Sequence, residues 1–281
     1  MTQADPELFD RRPWRRVADE DFGAAAAVPT MLSKAERKLY LWLAEYWAEG
    51  DGAIVDLGCF AGGSTAYLAE GVRRSARKQA IHAYDKFRAA AGIKTRFLYP
   101  RGIAPFDGAD IEPLARRLLA PWSTMITLHP GRIEKKTWEA GPIELLVVDA
   151  AKSVAVLDRI ADTFYRHLIP GQSLILHQDI LHWKVPWIAY QMQQMQDCFE
   201  PVGHCAPDTL IFRCKAAPDD RALARGRATG IGDLDLMAAI SEAQLTWGRW
   251  DIGAKLNKLQ AALAANPMAR RAKDMSEKPI A

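Results

Sequence analysis

The chain has 281 residues, of which 49% are hydrophobic and 25% charged, and a formal net charge of +3; this is ordinary for a globular protein and too weakly basic to point to nucleic acid. Four cysteines, Cys59, Cys198, Cys205 and Cys214, show no CxxC spacing, so neither a zinc ribbon nor a disulfide framework is indicated. No run of about 18 apolar residues suggests a membrane span, and the charged residues 1–16 do not read as a signal peptide, which makes the cytoplasm the expected location.

Residues 1–32 read as an N-terminal arm, basic around Trp14 and alanine-rich over 23–29. A solvated arm is the simpler expectation and a lid over a ligand cleft the alternative. Ser33 and Glu36 have the spacing of a capping box. Leu39, Leu43, Tyr46 and Trp47 then recur at helical spacing, as core positions, up to a stop at Gly50. Residues 53–65, AIVDLGCFAGGST, organise the rest of the chain: an apolar run reaches Asp56 and feeds a turn with Gly58, Gly62 and Gly63 before a helical pattern. Glycines let the backbone turn tightly and come close to a ligand, and the helix start offers free N–H groups. Asp56 disfavours a phosphate but can hold an ammonium, so an amino-acid-like or nucleoside ligand suits this turn better than a pyrophosphate.

A second strand over 80–85 ends on Asp85, 22 residues after Gly63. From such a position an acid in a nucleoside-binding α/β fold bonds the ribose hydroxyls; an aspartate capping a loop is the plain alternative. Residues 86–121, broken by glycines and prolines, read as a helical insertion walling a substrate pocket, or as a surface excursion. A third strand at 125–129 leads to Pro130-Gly131-Arg132, and the apolar run 143–149 reads as a strand buried on both faces. A helix carrying Val156, Ile160, Phe164 and Leu168 comes next, then a strand over 174–176 that runs into His177-Gln178-Asp179. Residues 187–195 read as a helix, and 199–202 with 209–214 as an antiparallel pair at the sheet's edge. From Ala216 the composition shifts to a helical hairpin at 234–243 and 252–263, a packing or oligomer element. The charged tail after Ala269 is expected to be disordered.

Asp56, Asp85, Asp149 and Gln178-Asp179 each follow an apolar strand, at the ends where open parallel sheets bind ligands. The pattern Asp56-x-Gly58-x-x-x-Gly62-Gly63-Ser64-Thr65 resembles the first motif of class I S-adenosylmethionine-dependent methyltransferases, especially the small-molecule O-methyltransferases. The dinucleotide fingerprint is not met, since Gly58 is followed two residues on by Phe60, which disfavours an NAD-dependent oxidoreductase. The resemblance covers residues 33–215. It implies an α/β fold with a Rossmann-like, mostly parallel seven-stranded sheet flanked by helices; the N-terminal helical arm (1–32), the C-terminal helical hairpin (216–268) and the tail (269–281) lie outside it. It also implies S-adenosylmethionine as cofactor, bound by Asp56, Gly58, Phe60, Gly62, Gly63, Ser64, Asp85 and, where this fold meets the adenine, Arg132.

Asp149-Ala150-Ala151-Lys152 resembles the Asp-x-x-Lys of catechol and caffeoyl-CoA type O-methyltransferases, in which the aspartate binds a divalent metal and the lysine is general base. The Asp-Gly-Asp-His of macrocin-type enzymes is not matched at Ala151 and Lys152. Both groups carry Asp-Asn or Asp-Asp at the fifth strand, where this chain has Gln178-Asp179, an amide for one carboxylate. The resemblance thus implies Asp149 and Lys152 as catalytic residues, and Asp149, Gln178 and Asp179 as three oxygen ligands that suit magnesium (Mg2+) or calcium; His177, at the same strand end, is a further candidate base. Lys152 as a solvated helix-start residue and His177 as a packed strand residue are the alternatives. His182 and Trp183 are candidates to line the acceptor site. The expected reaction is O-methylation of a small-molecule or saccharide hydroxyl, a displacement that needs alignment and removal of a proton. A relative that keeps the nucleoside site and serves as a regulatory or interaction module is the second reading. The expected partners are the acceptor and a second copy of the chain, with no nucleic acid and no membrane.

Overall fold

Seven short segments become strands: β1 Ala53–Leu57, β2 Ile81–Asp85, β3 Ile126–Pro130, β4 Ile143–Val148, β5 Leu174–His177, β6 Phe199–Cys205 and β7 Thr209–Cys214. The structure is a computed structural model and describes residues 7–276. The strands hydrogen-bond in the order β3-β2-β1-β4-β5-β7-β6. β2 runs parallel to both β1 and β3, with Ile81 opposite Ile54 and Ile126. β7 runs antiparallel to both β5 and β6, which is the edge pair read from the sequence. β4 and β5 are buried at every residue, as near-continuous Val, Ile and Leu runs should be. The result is the expected Rossmann-like α/β sheet.

The chain forms two compact units, Met1–Lys135 with Ala140–Val147, and Lys136–Glu139 with Val148–Ala281. This partition differs from the expected 33–215 domain with an appendage: the arm belongs to the first unit, and the C-terminal helices to the same unit as β5, β6 and β7.

In the first unit, α1 (Lys34–Trp42) opens with the capping box, Ser33 Oγ accepting the Glu36 N–H at 3.3 Å and Glu36 Oε2 accepting the Ser33 N–H at 2.8 Å. The helix ends in a π-turn, Leu43–Trp47. The extra residue in that turn shifts the helical phase, so Leu39, Leu43 and Trp47 are buried while Tyr46, expected in the core, is exposed and stacks on Trp42. The arm is not solvated. Leu8, Phe9, Trp14, Val17, Phe22 and Val28 are all buried. Phe9 lies 6.3, 6.0 and 5.0 Å from the rings of Trp14, Trp42 and Trp47, and Phe22 packs edge-on against Tyr67 of α2 (Gly63–Ser75). The insertion contains α3 (Ala91–Phe97) and α4 (Glu112–Leu118). Its loop is tied down by the buried Lys94, whose ammonium donates to the carbonyls of Phe106 at 2.6 Å and Gly108 at 2.8 Å.

The second unit carries α5 (Val154–Phe164), α6 (Trp187–Gln194), α7 (Asp220–Gly226), α8 (Asp233–Trp247) and α9 (Gly253–Ala265). The C-terminal helices are joined to their unit by buried contacts. Asp158 of α5 accepts the N–H groups of Ala228 and Thr229 at 2.8 and 2.9 Å, and Phe212 of β7 packs edge-on against Trp247 of α8. The tail, expected to be disordered, is folded through Ser276, whose N–H donates to Asn266 Oδ1 at 2.9 Å, and Met275 is buried. Residues 277–281 of that tail and 1–6 of the arm lie outside the described residues. Among the described residues no helix is long and apolar enough to cross a membrane.

Since Trp14 is a core residue of the first unit, Trp14→Ala should lower unfolding free energy by about 3–5 kcal/mol in urea titrations. A change within about 0.5 kcal/mol, the range of surface substitutions, would return the arm to the surface.

Candidate functional site

The glycine turn is built on two carboxylates. Asp56, in β1, is 1% exposed. Its Oδ2 accepts the hydroxyls of Ser64 at 2.7 Å and Thr65 at 2.6 Å, which tie the strand to the first turn of α2. Its Oδ1 has no partner. Burial pushes the Asp56 carboxyl up to about 6 against those two hydroxyl bonds, with the charge of Asp85 adding to the rise.

Gly58 and Gly62 take φ of 107° and 94°, a conformation open to glycine, but Phe60 between them also has φ of 53°. A side chain there costs about 1–2 kcal/mol and needs an opposing interaction. Asp85 supplies it: Oδ2 accepts the Phe60 N–H at 2.9 Å, while Oδ1 accepts the N–H of Phe87, at 2.6 Å. Phe87 is left-handed too, with φ of 50°. One carboxylate therefore holds two left-handed phenylalanines. Burial raises the Asp85 pKa, opposed by these same backbone bonds. Gly131 N–H donates to the Asp85 carbonyl at 2.8 Å, bringing the 130–132 turn to the end of β2, whereas the exposed Arg132 side chain turns to Glu134 at 2.7 Å. A Cβ on Gly63 would come within 2.5 Å of Thr30 Cβ and 2.6 Å of the Pro29 carbonyl. The end of the arm thus lies on the start of α2.

The second unit holds a different cluster. The Lys152 ammonium bonds Asp149 Oδ1 at 2.5 Å and also Asp179 Oδ2. Partial burial works to lower the Lys152 pKa, but the charges and hydrogen bonds of the two aspartates outweigh it and hold the group above its ordinary value. Lys152 is therefore held as an ammonium at neutral pH, between two carboxylates. It is not a merely solvated helix-start residue. The two carboxylates offset the unfavourable dipole that a cation meets at the start of α5. The loop that carries it is fixed by Trp187, whose indole N–H donates to the Ala151 carbonyl at 3.0 Å, and by Ser153, which caps α5 by accepting the Val156 N–H at 3.3 Å.

The trio Asp149, Gln178 and Asp179 does not fit a resident magnesium ion. An ammonium already stands between the two carboxylates, and Gln178 offers an uncharged oxygen in place of a carboxylate, a weaker ligand for a hard cation. Among the described residues no group of three or more His, Cys, Asp or Glu is arranged to hold a metal. Gln178 is held through its backbone, its N–H donating to the Val148 carbonyl at 3.1 Å and its own carbonyl accepting the Thr209 hydroxyl at 3.2 Å.

His177 is a packed core residue and not a base. It is fully buried, with Nε2 3.0 Å from the Tyr165 hydroxyl, which in turn donates to Gln191 Oε1 at 3.2 Å. The one hydroxyl proton is committed to Gln191, so His177 donates from Nε2 and its Nδ1 stays bare and unpartnered. Burial depresses the imidazole to about 3. His182 closes a turn on Asp179, its N–H donating to the Asp179 carbonyl at 2.8 Å, and its ring stacks on Trp183. The ammonium groups of Lys184 and Lys258 lie 5.0 and 5.8 Å from the Trp183 ring centre. The sequence reading includes Thr65 in the glycine motif without a role of its own and does not single out Phe87. Thr65 was visible as a second hydroxyl after the glycine pair, but nothing in the sequence marks a left-handed phenylalanine.

No protein-family model and no curated protein matches the chain. Among solved structures, the O-methyltransferase NovP aligns over 66% of this chain and 82% of its own, at 14% identity and a TM-score of 0.51. The S-adenosylhomocysteine-bound methyltransferase PaMTH1 of Podospora anserina aligns over 94% and 80%, at 18% identity and 0.37. Cofactor-bound Rv0187 from MTB aligns over 84% and 87%, at 17% identity and 0.39. The likeness to NovP shows a shared fold.

Asp85→Ala leaves two backbone N–H groups of the turn without their acceptor and should cost about 1–3 kcal/mol of stability. Asp85→Asn, which keeps an acceptor oxygen, should cost less. Thermal unfolding of both variants checks this ranking; an alanine variant as stable as the parent would show that the turn does not depend on the carboxylate.

Proposed function

We propose that this chain is an S-adenosylmethionine-dependent O-methyltransferase acting on a hydroxyl of a small molecule or saccharide. The observation that carries the reading is the buried Asp56 with Oδ1 unpartnered, at a glycine turn braced by the acid of the neighbouring strand. A buried anionic oxygen without a donor calls for a cationic or donor group. The ammonium of an amino-acid moiety, directly or through water, has that chemistry. Each Asp85 oxygen accepts one backbone bond and keeps a further lone pair for ribose hydroxyls. When bound, S-adenosylmethionine supplies a sulfonium methyl for displacement by an acceptor oxygen.

The acceptor must lose a proton as its oxygen is methylated. Lys152, being an ammonium, does not take it. It stabilises negative charge developing on the acceptor oxygen, and one of its partners, Asp149 or Asp179, takes up the proton. No step passes through a metal.

Calorimetric titration with S-adenosylhomocysteine, then methyl transfer from labelled S-adenosylmethionine to phenolic and sugar hydroxyls, tests the reading. Binding and turnover unaffected by chelator are expected; failure to bind S-adenosylhomocysteine would overturn it. Binding without transfer to any acceptor would favour the regulatory module. Lys152→Met should lower kcat by about 100–1,000-fold and leave cofactor affinity within about twofold.

The pH dependence has a definite sign. A cationic ligand group prefers ionised Asp56, so cofactor affinity should rise as pH rises through about 6 and level off above it. The folded pKa lies above the unfolded value of about 3.9, so the ligand-free protein loses stability from Asp56 over the same rise, from about pH 4 to about pH 6. Asp56→Asn should flatten both profiles, measured by titration and by thermal unfolding across pH 4–8.

A further inference from the structure

We infer that residues 270–276 are a strap that positions Lys152, an inference that rests on the catalytic reading of that lysine. The strap crosses the loop before α5 as one antiparallel bridge, Ser153 opposite Arg271. Its two backbone bonds flank that bridge. The Val154 N–H donates to the Arg270 carbonyl at 3.1 Å, and the Ala272 N–H donates to the Lys152 carbonyl at 2.8 Å. Val154 opens α5, so its N–H is one of the donors that no carbonyl of the helix itself can reach. The strap supplies the acceptor.

The strap is itself anchored at both ends. Arg270 donates through Nη2 to the Ile231 carbonyl at 2.7 Å. Asn266 closes the far end, its Oδ1 accepting the Ser276 N–H at 2.9 Å and its Nδ2 donating to the Ser276 carbonyl at 3.0 Å. Met275 is buried between these anchors. With Trp187 holding the Ala151 carbonyl, residues 151, 152 and 154 are each fixed by a partner distant in sequence. This matters because the Lys152 ammonium must meet two carboxylates at once, and a displacement of about 1 Å in such a group can cost about 100-fold in rate. The strap acts through Lys152 and is a positioning element.

Ala272→Pro removes the N–H that bonds the Lys152 carbonyl and puts the ring Cδ in its place, so the strap and the loop must separate at this point. Ala272 opens the short helical turn Ala272–Asp274, a position that accepts proline. Arg271 before it is already extended, with φ −139° and ψ 137°, as a residue preceding proline prefers. Ala272→Ser keeps the N–H and serves as control, and a chain ending at Ala269 removes the strap entirely. In Ala272→Pro, amide exchange over 152–156 should accelerate about tenfold and kcat should fall about 10–100-fold. Acceptor KM and S-adenosylhomocysteine affinity should change by less than about threefold, and Ala272→Ser should behave as the parent. The shortened chain should show the same or larger effects; if Ala272→Pro does not fold, this chain decides.

Unchanged exchange overturns the strap. Unchanged kcat overturns its positioning role, and Lys152→Met then separates the two readings: inactive, it leaves the lysine assignment standing; active, it removes that assignment as well. Where the parent chain turns over no acceptor, the exchange measurement alone decides whether the strap holds the loop.

Discussion

The Asp85 carboxylate accepts the N–H groups of Phe60 and Phe87, two residues in a backbone region that side chains avoid. Each left-handed phenylalanine costs about 1–2 kcal/mol, and each hydrogen bond to a charged acceptor returns about 1.5–3 kcal/mol. The terms nearly cancel, so the turn keeps its shape only while the carboxylate is present and accepting. Everything downstream inherits that geometry. Gly62 leads into α2, and the first turn of α2 delivers Ser64 and Thr65 to Asp56. The ends of β1 and β2 are thereby fixed to one another before any ligand arrives, which lowers the ordering cost of binding.

The two units treat their carboxylates in opposite ways. Asp56 and Asp85 are close enough for the charge of one to raise the other, and Asp56 has no cationic partner. Asp149 and Asp179 share the ammonium of Lys152. A buried carboxylate without a cationic partner, as Asp56 is, favours a ligand that brings positive charge. A pair already carrying an ammonium favours a neutral group that turns negative as it reacts. A sulfonium donor with an amino-acid ammonium matches the first, and a hydroxyl losing its proton matches the second.

What was legible in the sequence is what repeats locally. Strands such as β4 and β5 announce themselves as apolar runs, the antiparallel edge pair by its short spacing, and α1 by Ser33 and Glu36. What was not legible depends on partners far along the chain or on a change of helical phase. Tyr46 leaves the core because Leu43–Trp47 winds as a π-turn. The arm joins the core through Phe9, which touches Trp42 and Trp47 from outside any periodic pattern. His177 is neutral because it is fully buried in the core, with the Tyr165 hydroxyl as its partner. The segment after Ala269 looks like a solvated tail because it pairs through its backbone, and backbone pairing leaves no mark on side-chain composition.

The amide at position 178 gains a different meaning from the protonation of Lys152. Beside an Asp-x-x-Lys motif, Gln178 reads as a lost metal ligand. With the lysine charged, the cluster already carries two negative charges and one positive charge, close to balance without an added cation. A third carboxylate would add repulsion that one ammonium could not offset, so an uncharged residue beside Asp179 is consistent with a cation supplied by the chain itself. A side-chain cation differs from an ion in one respect that the structure addresses directly. An ion finds its own best position among its ligands, whereas an ammonium can reach only as far as its four-carbon stem and its backbone allow. The loop from Ala151 to Val154 is accordingly held at three backbone positions, by Trp187, Ala272 and Arg270.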